Sequence, residues 1–342
     1  MSNKEFGCLP TIIGTMPHTD AAAACRLITH YLPDIPAWPQ LPRSSFRENM
    51  NAQFSQGFPG LVVTGDSISV DRSGDLDKPL EQLYAAYLEN DADKYPIGPE
   101  YAAGLHYFLG LKDLSPRAVK GQLTGPITWG LTVTDDSRRA VLYDDVLGDA
   151  VARFLKLKVA WQEKKLREVC PETIIFVDEP YMSAYGSVGF MLPKERVISL
   201  LEEVFSGISG LKGIHCCGNT DWSLILETST DIVSFDAYNY AASLSLYPEV
   251  VRSFLGGKGV VAWGIIPSDE VSLAGESVAS LKDRLEEAMA PFTRNGIRFE
   301  QLVAQGLLTP SCGLATLTTE DAAARALELL AELSREIRKR YR

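Results

Sequence analysis

The sequence predicts an α/β fold, a single (β/α)8 TIM barrel, and we expect residues 1–342 to form one domain. Eight short apolar segments rich in β-branched residues are bounded by Gly, Pro or Asp, and segments with helical periodicity separate them. No internal repeat or low-complexity block interrupts this alternation. The predicted strands are residues 9–15, 61–66, 118–125, 173–179, 213–218, 231–237, 259–266 and 307–313.

Apolar residues at helical spacing predict the elements between these strands. The longest of them precedes the fourth strand, and another ends the chain. The predicted helices are residues 19–32, 78–90, about 143–169, 193–205, 220–228, 247–255, 278–292 and 319–341. Strands and helices that alternate in this way are typical of a parallel barrel.

Two segments depart from the simple alternation. Residues 33–60 follow the first strand and helix and are rich in proline, with Trp38 and Phe46 among the prolines, so we expect a rigid insertion. Residues 67–77 are polar and are predicted to form a turn. In a barrel such insertions usually border the active site, and a packed surface excursion is the alternative.

The composition narrows the classes of function. Hydrophobic residues make up 46% of the chain, and 33 Lys and Arg against 44 Asp and Glu leave a net charge of −11. Because an acidic chain repels phosphate backbones and anionic lipids, we expect a small molecule or another protein as partner, and neither nucleic acid nor membrane. The polar N-terminal sequence predicts no signal peptide, which favours a cytoplasmic location.

The unusual polar residues of the predicted strands lie at their C-terminal ends. Because these ends meet at one mouth of a barrel, we expect the side chains to converge there although they are far apart in the sequence. They are Thr15, Asp178, Glu179, His215, Cys217, Asp236 and Cys312.

His215, Cys217 and Cys312 form the most specific pattern. Residues i and i+2 of a strand point to the same face, so His215 and Cys217 can both point inward while Cys216 points away. Cys312 would supply a third zinc ligand, and Asp236 is the nearest candidate for the fourth position, which water or substrate could also take. In the alternative interpretation, the Cys residues are small buried hydrophobes and His215 belongs to the core.

An open catalytic zinc site fits this pattern better than a structural site, which usually has paired Cys knuckles. A thiolate-rich zinc site suits a thiol substrate, because coordination deprotonates a bound thiol and makes it a nucleophile at neutral pH. The sequence contains no dinucleotide-binding glycine motif, P-loop or nucleophile elbow, so nucleotide cofactors and acyl transfer lack support.

Asp178 and Glu179 place two carboxylates at the end of a predicted strand that Pro180 terminates. Such carboxylates can bind a substrate ammonium or act as a general base. An ion pair with a Lys or Arg of a loop is the structural alternative.

Five segments resemble the C-terminal catalytic barrel of cobalamin-independent methionine synthase, and the resemblance extends from about residue 9 to residue 330. They read IIGTMPHT, GQLTGPITW, FVDEP, IHCCGNTDW and LTPSCGL. IHCCGNT also resembles the zinc segment of methylcobamide:coenzyme M methyltransferases. Both groups belong to the barrels that are similar to uroporphyrinogen decarboxylase.

The resemblance implies a role for each matched residue. His215, Cys217 and Cys312 would bind zinc, and Asp236 stands where the synthases have a Glu ligand. The remaining matches are substrate-binding: Asp178 would hold the ammonium of homocysteine, the backbone of Gly14 and Thr15 would meet its carboxylate, and Trp129 would line the side of the methyl donor. From its position beside Asp178, we also expect Glu179 to bind the substrate.

Two departures bear on the methyl donor. The folate-using synthases carry a second, N-terminal barrel that this sequence does not match, and their His after the seventh strand has no counterpart in WGIIPSDE. We therefore expect the donor to be a methylcorrinoid, either free methylcobalamin or a methylated corrinoid carrier protein, with folate as the alternative.

The resulting hypothesis is a zinc-dependent methyltransferase that methylates the thiolate of homocysteine and forms methionine. Three alternatives stay open. The thiol could be coenzyme M or another small thiol, the protein could be a metal-free lyase similar to uroporphyrinogen decarboxylase, or it could be a zinc-bearing module that docks a corrinoid protein without catalysis.

Overall fold

The computed structural model describes residues 5–341, and its centre is a curled sheet of seven parallel strands. The strands of the described residues, in chain order, are Leu9–Pro10 (β1), Leu61–Thr64 (β2), Ser67–Val70 (β3), Val119–Thr124 (β4), Thr134–Asp135 (β5), Thr173–Asp178 (β6), Leu211–Cys216 (β7), Ile232–Phe235 (β8), Val260–Ile266 (β9) and Gly306–Pro310 (β10). The order across the main sheet is β1, β10, β9, β8, β7, β6 and β4.

Helices follow most of these strands, and several pack against the sheet. They are Ala21–Tyr31 (α1), Met50–Gln53 (α2), Asp77–Glu89 (α3), Ala103–Leu109 (α4), Pro126–Thr132 (α5), Asp145–Leu166 (α6), Lys194–Phe205 (α7), Trp222–Leu226 (α8), Ala237–Ser245 (α9), Pro248–Gly256 (α10), Glu270–Gly275 (α11), Val278–Arg294 (α12), Phe299–Ala304 (α13) and Glu320–Tyr341 (α14). None of the helices in residues 5–341 combines the length and the apolar content needed to cross a bilayer.

The strands of the main sheet are buried on both faces. Every residue of β4, β6, β8, β9 and β10 is buried, which agrees with the largely apolar sequences of β6, β8, β9 and β10. β4 is the exception, because it buries Lys120, Gln122 and Thr124. Alternate residues contribute to a second apolar cluster, separate from the main core. This inner cluster contains Phe6, Leu9, Ile13, Ile35, Ala118, Ile174, Phe176, Leu211, Ile232, Val260, Ala262 and Leu307.

A short segment, residues 36–40, lies between the two edges of this sheet. The amide of Gln40 donates to the carbonyl of Gly14 (3.0 Å), just beyond β1, and the amide of Lys120 in β4 donates to the carbonyl of Pro36 (2.9 Å). The segment therefore forms hydrogen bonds with β4 and with the residues just beyond β1, at the two edges of the sheet. Because Pro36 and Pro39 have no N–H group, it forms only isolated bridges and no regular ladder.

One predicted strand does not belong to the main sheet, so its assignment to the barrel was wrong. Residues 61–64 form β2, which pairs with β3 in an antiparallel hairpin, and β3 pairs with β5 in a separate three-stranded sheet. The side chains of β2 alternate between partly buried and exposed. An apolar run of four residues does not distinguish such a half-exposed strand from a core strand. The predicted turn at residues 67–77 contains β3.

The other seven predicted strands each overlap a strand of the main sheet, and each predicted helix overlaps an observed helix. The sequence analysis missed α2, α4, α5, α9, α11 and α13, which have four to nine residues each and show too few turns for a clear period.

A substitution at Gly104 in α4 can test how the proline-rich insertion packs against this helix. A Cβ atom at this position would lie 1.9 Å from the carbonyl oxygen of Pro39, so Ala cannot fit without a backbone shift. We expect Gly104→Ala to lower the free energy of unfolding by about 1–3 kcal/mol in urea denaturation. Gly256→Ala is the control, because a Cβ there meets no atom within 4 Å. Equal stability of the two variants would contradict this packing.

Candidate metal centre and active site

The structure brings together three of the predicted site residues. One donor atom from each of His215, Cys217 and Cys312 lies within 4.8 Å of the other two. His215 is in β7, Cys217 directly follows this strand, and Cys312 follows β10. The convergence expected from the strand ends is therefore present for these residues. Cys216 is buried in the main core, as the alternation along the strand requires.

His215 is held by the neighbouring strand. Its ring is 3% exposed, and Nδ1 lies 3.0 Å from the hydroxyl oxygen of Ser234 in β8. The other ring nitrogen, Nε2, is buried and has no hydrogen-bond partner among the described residues. When Nδ1 carries the proton and donates to Ser234, Nε2 presents a lone pair to the two thiols.

The thiols of Cys217 and Cys312 are partly buried and interact with each other. The neighbouring thiol of Cys312 and the imidazole of His215 lower the pKa of Cys217, which favours its thiolate. The hydrogen bond to Cys217, together with burial, raises the pKa of Cys312 well above that of a free thiol. The pair therefore stabilises one negative charge on sulfur.

This group has the donor chemistry of a zinc site. One imidazole nitrogen and two thiolates are typical zinc ligands, and three protein ligands leave a fourth tetrahedral position open. The unpaired Nε2 of His215 is the observation that supports the fit, because a buried nitrogen without a partner is costly unless it has a ligand. His215, Cys217 and Cys312 would hold the ion.

Asp236 lies outside this group. Its two carboxylate oxygens accept hydrogen bonds from the backbone amide of Asn239 (2.8 Å) and from its side-chain amide (2.7 Å). These bonds cap the N-terminus of α9. The role of Asp236 as fourth zinc ligand stays a prediction, and the bound rotamer would have to give up one of these contacts.

Asp178 lies beside His215 in the parallel ladder of β6 and β7. The residue is 7% exposed, and its Oδ1 has no hydrogen-bond partner in residues 5–341. Burial raises the pKa of Asp178 to about 6, while the charges of His215 and Lys120 act in the opposite direction. A buried carboxylate oxygen without a partner can accept a hydrogen bond from a cationic ligand.

Glu179 makes contacts that are structural. Its carboxylate oxygens accept hydrogen bonds from the backbone amides of Ile127 (2.9 Å) and Thr128 (2.7 Å), in the first turn of α5. Burial raises the pKa of Glu179 to about 7. Both carboxylate oxygens of Glu179 are thus paired with N–H groups at the N-terminus of α5. These hydrogen bonds join the end of β6 to α5. The substrate contact predicted for Glu179 stays a prediction.

Gly14 and Thr15 border the loop that carries Cys312. A Cβ at Gly14 would lie 2.4 Å from Oε1 of Gln40 and 2.9 Å from Cδ of Gln122, so this position accepts no side chain. The carbonyl of Thr15 accepts a hydrogen bond from the amide of Leu314 (2.8 Å). The backbone predicted to bind the substrate carboxylate is therefore close to the Cys312 turn, and its role as a ligand stays a prediction.

Trp129 is completely buried. Its indole N–H donates to the carbonyl of Asn51 (2.9 Å), and its ring packs against Phe58 at 4.8 Å between centroids. In this conformation the ring has a packing role and offers no surface to a ligand. Its predicted contact with a methyl donor stays a prediction that would require movement of the proline-rich insertion.

The sequence analysis missed Lys120, a fully buried residue in the middle of β4. Its ammonium donates to the carbonyl of Ile13 (2.6 Å) and to the side-chain oxygen of Gln122 (3.2 Å). Burial lowers the pKa of Lys120 to about 7, and the negative charge of Asp178 acts against this shift. A Lys inside the apolar strand AVKGQLTG was the available signal, since Lys is rarely fully buried.

No protein-family model matches the sequence, and no curated protein matches it at a significant level. Similarity is found among solved structures. A B12-independent methionine synthase from Shewanella sp. in complex with selenomethionine aligns with a TM-score of 0.59 and 16% identity, over 97% of this chain and 98% of that chain.

Two further solved structures are similar. A putative vitamin-B12 independent methionine synthase from Listeria monocytogenes aligns with a TM-score of 0.56 and 14% identity, over 93% of this chain and 86% of that chain. A methyltransferase from Methanosarcina mazei aligns with a TM-score of 0.53 and 14% identity, over 91% and 83% of the two chains. This chain shares their fold.

Ser234 allows a test of how His215 is oriented. Ser234→Ala removes the hydroxyl that pairs with Nδ1, so the ring loses its fixed tautomer and orientation. We expect the affinity for zinc to fall by about 10- to 100-fold, measured by competition with a chelator. Ser55→Ala is the control, because this buried hydroxyl donates to the carbonyl of Ala52 outside the site. Unchanged zinc affinity in Ser234→Ala would contradict the assignment.

Proposed function

We propose that the protein is a zinc-dependent methyltransferase that transfers a methyl group from a methylcorrinoid to the thiolate of homocysteine and thereby forms methionine. One arrangement carries the proposal: the group of His215, Cys217 and Cys312 lies beside Asp178, whose Oδ1 is buried and unpaired. A metal-binding group and an acceptor for an ammonium are the two features that recognition of homocysteine requires.

Zinc bound by the three ligands would supply one chemical effect, the lowering of the pKa of a coordinated thiol so that it is a thiolate at neutral pH. Cys217 and Cys312 contribute negative charge at this position, and that charge keeps a sulfur ligand nucleophilic. Ser234 holds the ring of His215, so the open position keeps one direction.

Asp178 would bind the substrate ammonium, and the backbone at Gly14 and Thr15 would bind its carboxylate. These contacts would fix the amino-acid end of the substrate and direct its sulfur toward His215, Cys217 and Cys312, which would hold the zinc. Holding the nucleophile in one orientation converts a bimolecular encounter into an oriented reaction, which is the largest contribution we assign to these residues.

In the transfer step, a lone pair of the substrate sulfur attacks the methyl carbon of the donor. A sulfur–carbon bond forms as the cobalt–carbon bond breaks, and the bonding electron pair leaves with the corrinoid as Co(I). The thiol proton has left before this step, when the thiolate formed. The products are methionine and the demethylated corrinoid.

Two observations favour different methyl donors. The segment WGIIPSDE lacks the His of the folate-using synthases, which favours a corrinoid, free or on a carrier protein, whereas two of the similar structures are named as B12-independent methionine synthases. Assays with methylcobalamin and with methyltetrahydrofolate in parallel separate these donors.

We also propose that residues 1–342 form one eight-unit barrel. Residues 36–40 would take the place of the second strand, between β1 and β4. Their bonds to Gly14 and from Lys120 support this assignment. In this arrangement the metal group and Asp178 lie at the same mouth.

The metal group can be tested with Cys312→Ser. We expect about one zinc per wild-type chain, and loss of both zinc and methionine formation from homocysteine and methylcobalamin in the variant, because serine oxygen is a poor zinc ligand. Zinc is measured by atomic emission and methionine by chromatography. Cys170→Ser is the control, since its thiol lies outside the group and donates to the carbonyl of Pro116. A wild-type preparation that contains no zinc and forms no methionine would overturn the proposal and favour the lyase.

Asp178→Asn discriminates between homocysteine and a thiol without an ammonium. We expect the variant to bind homocysteine about 10- to 100-fold more weakly, the effect of losing one charge-assisted hydrogen bond. Binding of coenzyme M, which has a sulfonate and no ammonium, should not weaken. Calorimetry on zinc-loaded protein measures both. Unchanged homocysteine affinity would remove this amino acid from the proposal and favour another small thiol.

A further inference from the structure

Lys120 occupies an unusual position in the protein. It is fully buried in β4, and its ammonium lies 4.5 Å from the centre of the Phe176 ring in the inner cluster. Lys120 pairs with Ile174, four residues before Asp178 in β6, and its ammonium reaches the layer of Phe176, one layer of side chains below the carboxylate. A buried ammonium is unfavourable unless its N–H donors are satisfied, so we expect Lys120 to hold other groups in place.

The donors of Lys120 are used on groups next to the site. Nζ donates to the carbonyl of Ile13 at 2.6 Å and to Oε1 of Gln122 at 3.2 Å, and the ring of Phe176 covers the ammonium. Lys120 is fully buried and two of its donors are already occupied, so direct contact with a substrate is not its role. It acts through Ile13 and Gln122.

Ile13 and Gln122 are both in contact with Gly14. Ile13 directly precedes it, so the bond to the Ile13 carbonyl restrains the peptide that joins the two residues. Gln122 packs against it, because a Cβ at Gly14 would lie 2.9 Å from Cδ of Gln122. The side-chain amide of Gln122 also donates to the carbonyl of Trp38 (3.0 Å), in the segment that bridges the sheet edges.

Lys120 also influences Asp178 through its charge. The ammonium favours the ionised form of this carboxylate and opposes the effect of burial. One buried cation thus affects both groups that we assign to the amino-acid end of the substrate, the backbone at Gly14 and the carboxylate of Asp178.

We propose that Lys120 is a positioning residue for the amino-acid end of the thiol substrate, because it holds the peptide before Gly14 and the side chain of Gln122 from below. This inference rests on the proposed function and adds a residue to its recognition of homocysteine. It assigns to Lys120 no contact with the metal group or with the methyl donor.

The test compares two thiols that differ only at the amino-acid end. 1-Propanethiol has the carbon chain and thiol of homocysteine without the ammonium and carboxylate. The dissociation constants of both thiols are measured by calorimetry on zinc-loaded wild type and Lys120→Met, and zinc content is determined in parallel. We define the preference as the dissociation constant of propanethiol divided by that of homocysteine.

We expect Lys120→Met to lower this preference at least tenfold, with zinc content and propanethiol affinity at the wild-type level. Lys158→Met is the matched control. Lys158 is also fully buried, donates to a carbonyl, that of Pro96 (2.6 Å), and lies near the ring of Phe154 (5.2 Å), but it is in α6 outside the candidate site. Its variant should retain the wild-type preference.

Equal loss of affinity for both thiols in Lys120→Met, or a preference unchanged from wild type, would overturn the inference and leave the proposed function intact. A wild type without any preference for homocysteine would overturn the proposed recognition of this amino acid, and the inference with it. If Lys120→Met does not fold, Gln122→Leu decides. It should lower the preference at least threefold, and an unchanged preference in this variant would refute the role.

Discussion

The register of three parallel strands determines the candidate site. Asp178 in β6 pairs with His215 in β7, and His215 pairs with Ser234 in β8, so three polar side chains lie in one row across the sheet. Because side chains alternate along each strand, a slip of β7 by one residue would turn Cys216 inward and His215 outward. The hydrogen bond from the amide of Glu179 to the carbonyl of His215 extends this register to the end of the strands.

Buried polar groups in the curled sheet divide into those that are paired and those that are not. Lys120 and Glu179 have partners that join structural elements, and they support the site from below and from the side. Nε2 of His215 and Oδ1 of Asp178 have no partner among the described residues. An unpaired buried polar atom costs about 1–3 kcal/mol, and a ligand that satisfies both atoms would recover this energy on binding.

Much of the fold could be predicted because the spacing of apolar residues along the chain identifies strands and helices locally. The continuous apolar runs of β6 and β9 and the helical spacing of α7 and α12 identify their structures without reference to the rest of the chain. Periodicity does not predict the position of a segment whose place in the sheet depends on which strands it pairs with. Residues 61–64 resemble a core strand and form a surface hairpin, whereas residues 36–40 bridge the sheet edges despite two prolines. Only the surrounding strands determine which segment is placed between β1 and β4.

The candidate site shows the same division. The sequence by itself determined that His215 and Cys217 share a face, since the two-residue period of a strand is a local property, and it indicated Cys312 and Asp178 as strand-end residues. Only the tertiary structure decided that Glu179 pairs with the N-terminus of α5, that Trp129 is enclosed by the insertion, and that Lys120 lies beneath Asp178. Hydrogen bonds and packing between distant segments depend on the arrangement of whole strands and helices, which no local pattern contains.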